Sequence, residues 1–124
     1  MKILLGLFLL AHGLLHASYL TPKPDDPNYP FDFHKGWFPD LVGQAAGPIG
    51  TILVVVVVGA FLLAALSLFG VPGFSTYGQL FVSVGAIASL ILLVLFWHSW
   101  LILGVVINLV LLVGIYAFGW KFGA

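Results

Sequence analysis

The chain has 124 residues, 62% of them apolar and only 6% charged, with four Lys, four Asp, no Arg, no Glu and a formal net charge of zero. Soluble domains carry about 25% charged residues, so this composition excludes a fully water-facing surface and makes lipid the natural solvent. The neutral balance also excludes the basic patch that nucleic acid demands and a polybasic lipid-binding tail. The absence of Cys excludes disulfides, thiol redox chemistry and Cys-ligated metals.

The length suits one integral membrane domain over residues 1–124. The first apolar stretch runs from about Ile3 to Leu20 and reaches about 27 Å as a helix, enough for the hydrocarbon core. Lys2, the apolar run and Ala17 have the outline of a secretory signal. However, His12 and His16 interrupt the run, and Leu15 is too large for a cleavage site. A retained first helix is expected.

A polar segment from about Thr21 to Gly47 follows, with Pro22, Pro24, Pro27, Pro30, Pro39 and all four Asp. Five aromatics, Tyr29, Phe31, Phe33, Trp37 and Phe38, fall within ten residues of it. A solvated linker has no need of them, and a loop of this length without structure is unusual unless it serves a purpose. We expect it to fold back over the bundle as a cap or a partner-docking surface, with Pro39 opening a short interfacial helix that ends near Gly43 or Gly47.

The second span is expected over 48–69. Its run Val54 to Val58 favours a strand in water, but the unbroken apolar length argues for a membrane helix. Gly70-Val71-Pro72-Gly73 then marks a tight break. From Leu80 to Trp120 the chain is nearly all apolar. As one helix this stretch would reach about 60 Å, twice the core, so it must turn. The polar pair His98-Ser99, between the interface-preferring Trp97 and Trp100, places the turn. Spans over 76–97 and 101–118 follow. The fold expected is all-α, a four-helix transmembrane bundle with a long Pro- and aromatic-rich loop between its first two helices.

Small residues recur at helix-packing spacing: Gly6, Gly13 and Ala17; Ala60, Ala64 and Ser67; Gly85 and Ser89; Gly104 and Asn108. Such seams let helices approach closely in lipid.

The polar chemistry gathers toward the loop end of the bundle, here face B; the other end, face A, carries Lys2, the glycine turn and Lys121. His12 and His16, four residues apart, share a helix face. With His98 arriving at the same end, the three histidines are candidate ligands for haem b or a divalent metal. The competing reading makes them packing residues that hydrogen-bond across helices, with no cofactor. Asn108 is the one amide in the fourth span: it suits either a contact to a quinone carbonyl or solute, or interhelical adhesion. The Asp-rich loop lacks the spacing of a calcium site. There is no phosphate loop, nucleophile elbow, HExxH motif or intrahelical carboxylate pair, so no enzyme engine is visible and the catalytic set is empty. Lys counts at the two faces are tied; the free amine and the four Asp favour cytoplasmic termini and an extracytoplasmic loop.

The opening helix, Leu5-Gly6-Leu7-Phe8-Leu9-Leu10-Ala11-His12-Gly13, resembles the first helix of the DoxX-like family of small four-helix membrane proteins. Phe96-Trp97-His98-Ser99-Trp100-Leu101, with Gly104 and Asn108, is similar to the last hairpin of proteins of that type. These residues cover about a fifth of the chain. The family takes its name from a subunit of an archaeal quinol oxidase, so the resemblance implies an accessory role near a respiratory complex. The Pro-rich loop departs from the compact family pattern. The leading functional reading is a non-catalytic accessory or assembly subunit among other membrane subunits, or a homo-oligomer. Its rivals are a haem or metal redox module and a small-solute or ion pathway.

Overall fold

A computed structural model describes residues 2–26 and 28–122. Regular structure among these residues is helical throughout: α1 (Lys2–Leu15), α2 (Trp37–Val42), α3 (Ala46–Leu68), α4 (Gly78–Leu95) and α5 (Ile102–Phe118). Short 3-10 turns extend α1 over His16–Leu20, join α2 to α3 over Gly43–Ala45, and lead into α4 and α5 over Ser75–Tyr77 and Ser99–Leu101. Four tracts are long and apolar enough to cross a bilayer: Lys2–Leu20, Trp37–Leu68, Ser75–Leu95 and Ser99–Phe118. The chain is thus an all-α, four-helix, multi-pass membrane protein.

The valine run of α3 stays helical, because a spanning segment in lipid must satisfy each N–H and C=O within itself. Val54 and Val57 face inward while Val55 is 60% exposed, so the run serves both sides of one helix. α3 packs against both α1 and α4, and α5 packs against α4. Phe61, fully buried, is the wedge at the centre. A Cβ on Gly13 of α1 would stand 2.6 Å from the Phe61 Cβ, and one on Gly85 of α4 would stand 3.0 Å from its Cε2. The small-residue seams expected on α1 and α4 are therefore the slots that admit this ring.

The ends of the bundle differ from the sequence expectation in detail. The short helix expected to open at Pro39 and end near Gly43 or Gly47 is α2, which begins two residues earlier, at Trp37, and ends at Val42; Pro39 sits in its first turn, where its missing N–H is harmless. Gly36 has φ +97°, and a Cβ there would lie 2.6 Å from the Trp97 backbone N, so only glycine lets this loop lie on the α4–α5 turn. α4 ends at Leu95; Phe96 leaves the helix and is fully buried. At face A, Gly119 takes a left-handed conformation and the Trp120 N–H donates to the Gly114 carbonyl at 2.9 Å, closing α5. The chain then turns inward and buries Phe122.

Face B carries the expected cap. Tyr19 stacks on Phe33 at 5.0 Å and meets Phe31 edge-on at 5.4 Å, while Phe33 and Phe38 both lie against Phe96. Trp37 Nε1 donates at 2.8 Å to the Val94 carbonyl, one of the last-turn acceptors that α4 cannot satisfy itself. Lys23 Nζ donates to the Ser18, Tyr19 and Thr21 carbonyls at 3.2, 2.7 and 2.9 Å and so closes the end of α1. The loop carboxylates hold local turns: Asp26 accepts from the Asn28 N–H, and Asp32 from both the N–H and the ring of His34. Partial burial pushes the Asp32 carboxyl up, but the two His34 bonds and the charges of His34 and Lys35 outweigh it, and its pKa lies below the ordinary value.

Two outcomes follow. Gly13→Ala is expected to destabilise the bundle by about 1–3 kcal/mol and by more than Gly85→Ala, because the Phe61 Cβ is fixed to α3 while the ring edge can tilt; unfolding both variants in mixed micelles measures the difference. A folded-state pKa below the unfolded one gives Asp32 a stabilising contribution that is full above the unfolded value and lost as pH falls through the folded one. Acid should therefore loosen the cap around Trp37 in the wild type, read by its fluorescence, and Asp32→Asn should flatten that dependence.

Candidate functional site

Three helices bring four polar side chains to one place inside the bundle. From Lys2 to His12 the helix rises about 15 Å, half the hydrocarbon core. There His12, His16, Ser89 and Asn108 are all buried. His12 Nε2 lies 2.9 Å from Asn108 Oδ1, Asn108 Nδ2 2.7 Å from Ser89 Oγ, Ser89 Oγ 2.6 Å from His16 Nε2, and His16 Nδ1 2.9 Å from the His12 carbonyl.

In neutral imidazoles the role of each atom is fixed. A carbonyl only accepts, so His16 Nδ1 donates to His12 and His16 Nε2 is left as an acceptor. The Ser89 hydroxyl donates to it, and its oxygen accepts from Asn108 Nδ2. Asn108 Oδ1 in turn accepts, so His12 Nε2 donates. The four bonds close a ring that runs from α1 to α5, on to α4 and back to α1. α1 passes from α-helix to 3-10 turn at His16, the residue whose ring has taken the carbonyl four positions back.

The ring bridges two helices that otherwise make little direct contact, α1 and α5. A half-open cleft of about 140 Å³ lies between them, lined by His12, Leu15 and His16 of the first tract, Leu103, Gly104 and Ile107 of α5, and neighbours that include Phe31 and Trp100. The His12 ring makes a T-shaped contact with Phe61, with ring centroids 5.0 Å apart.

His98 is placed elsewhere. Its Nδ1 accepts from the Trp100 N–H at 3.1 Å, capping the 3-10 turn before α5, and its ring meets that indole edge-on. The three-histidine grouping expected for a metal or haem is not assembled: among the described residues no group of three or more His, Asp or Glu side chains could hold a metal ion. The turn needs a side-chain acceptor, and His98 supplies it. A porphyrin also exceeds a one-ring cleft, and His16 has both ring nitrogens engaged. Asn108 has both amide heteroatoms in the ring, the geometry of interhelical adhesion, with the second N–H of Nδ2 not used by it.

Of the aromatics expected to dock a partner, Tyr29, Phe31, Phe33 and Phe38 are partly buried in the cap, and Trp37 alone keeps half of its surface outside. Ser89 was legible only as a small seam residue. Its hydroxyl is the junction of the ring, and the available signal was its depth, eleven residues into α4, level with the polar groups of α1 and α5. Tyr19 carries a further feature: it is 3% exposed, and its Oη is the one fully enclosed side-chain polar atom, reached by no solvent, that has no partner among the described residues. No protein family, curated protein or solved structure matches the chain.

Ser89→Ala is expected to cost about 1–2 kcal/mol, because it orphans both His16 Nε2 and Asn108 Nδ2. A double-mutant cycle with Asn108→Leu should return a non-zero coupling, and strict additivity would show that the ring does not act as a unit.

Proposed function

We propose that this protein is a non-catalytic accessory or assembly subunit of a larger membrane complex. The observation that carries the reading is the surface of α5. Only Asn108, Leu111 and Gly114 of its 17 residues are buried, whereas α4 buries nine of 18. Leu109, Val110, Val113, Phe118 and Trp120 surround Gly114 in an open, almost wholly apolar groove of about 370 Å³. Trp120 fills the space over Gly114, so a partner helix would pack on the exposed apolar walls of Leu109, Val110, Val113 and Phe118.

The interior supports the same reading. Its polar groups at membrane depth are spent on one another, and the loop aromatics on the cap, which leaves an adhesive scaffold with an uncovered flank. The resemblance of the first helix to DoxX-like proteins accords with an accessory role. Orientation with cytoplasmic termini and an extracytoplasmic cap is part of this proposal; the cap then faces away from the cytoplasm with its four Asp.

Photoreactive side chains at Val110 and Val113, in native membranes, are expected to capture a protein, while the same group at Val55, exposed on α3, captures lipid. Equal lipid capture at all three positions, with migration as a single chain in mild detergent, would overturn the reading.

A further inference from the structure

We infer that the cleft between α1 and α5 is a binding site for the head of a membrane-dissolved amphiphile, a single ring carrying a hydroxyl group. The inference stands apart from the subunit reading, which concerns the opposite half of α5.

Three observations converge. The first is size and setting. The cleft measures about 140 Å³, and a dry apolar cavity of about 150 Å³ accepts one benzene ring. Its rim residues Leu15, Leu103 and Trp100 are 56%, 67% and 60% exposed, so it opens sideways where lipid lies. A ligand with an apolar tail can enter from the bilayer and leave its tail there.

The second is the polar handle. The ring of hydrogen bonds uses three of the four imidazole nitrogens. The fourth, His12 Nδ1, is left with a lone pair by the donation from Nε2, and it has no hydrogen-bond partner among the described residues. His12 lines the cleft. A lone pair accepts, so it selects a hydroxyl and rejects a carbonyl. In a water-poor cleft this difference is large, because an unpaired polar group facing an acceptor carries the full cost of desolvation.

The third is the lining. Phe31 from the cap and Trp100 from the α4–α5 turn flank the cleft at face B, and apart from His12 and His16, the latter with both ring nitrogens engaged, the remaining walls are aliphatic or glycine. Aromatic side chains beside a one-ring space favour a flat head over a branched one. The cleft is thus polar at one point and apolar elsewhere, the pattern of a small-molecule site.

The test uses the whole protein in lipid nanodiscs with 15N-labelled histidine. The His34 and His98 signals are assigned from the His34→Ala and His98→Ala variants, and the two helical rings are told apart by tautomer, His12 carrying its proton on Nε2 and His16 on Nδ1. Para-nonylphenol is the probe, with its methyl ether and dodecanol as controls. The expected result is a saturable shift of the His12 Nδ1 resonance with the phenol and none with the ether, which cannot donate. Leu15→Trp, which narrows the mouth, should abolish the shift while the His16 resonances stay in place; Ile107→Phe repeats the test should the first variant fail to fold. Equal shifts with phenol and ether, or a linear response without saturation, mean partitioning into lipid and overturn the proposal. An equal, saturable response to dodecanol removes the ring from it and overturns the ligand class.

Discussion

Lipid offers no hydrogen bonds, and this constraint shapes the whole chain. Every polar atom at membrane depth must find its partner inside the protein or leave a costly orphan. The helices meet the demand for their backbones. For the side chains at the middle of the bundle the protein meets it with His12, Asn108, Ser89 and His16 joined head to tail. That closure ties α5 to α1 across a gap that apolar packing leaves unfilled, and so sets the cleft beside it.

Around this ring the molecule is asymmetric. Toward face A, contacts are almost purely steric: Phe61 sits between Gly13 and Gly85, Phe69 presses on Gly6, and Trp120 covers Gly114. The Tyr116 hydroxyl, donating to Ser83 at 3.0 Å, is a polar tie between α5 and α4 there. Toward face B the chain builds an aromatic lid whose rings converge on Tyr19 and Phe96. The two ends thus use different means, small residues against large at one and a stack of rings at the other. The lid protects the end at which the ring and its cleft lie.

The fold was legible because its signals are additive over long stretches. About twenty apolar residues in a row outweigh the strand preference of five valines, and two tryptophans around His98 placed a turn that no glycine marks. The glycine seams were legible as spacing, and their contacts only in the structure: Gly13 and Gly85 against Phe61, Gly6 against Phe69 and Gly104 against Leu93. The site was legible only by halves. His12, His16 and Asn108 were identifiable because polar groups are rare in spans. Their pairing was not, since it depends on the rotation of three helices about their axes, and no run of sequence records that angle. His98 misled for a related reason: it lies toward the same end of the bundle as the others but is consumed by its own turn. The loop aromatics announced burial correctly, but not what they would be buried against.

The hydrogen-bond ring has a sense of circulation. Each side-chain member passes its proton forward to the next acceptor, and a circle of hydroxyls or imidazoles alone could reverse and so move a charge around itself. This one contains a peptide oxygen, the carbonyl of His12, which takes a proton's attention but has none to give. The circuit therefore runs one way and stops there. As arranged, it is a latch that holds three helices together at mid-membrane.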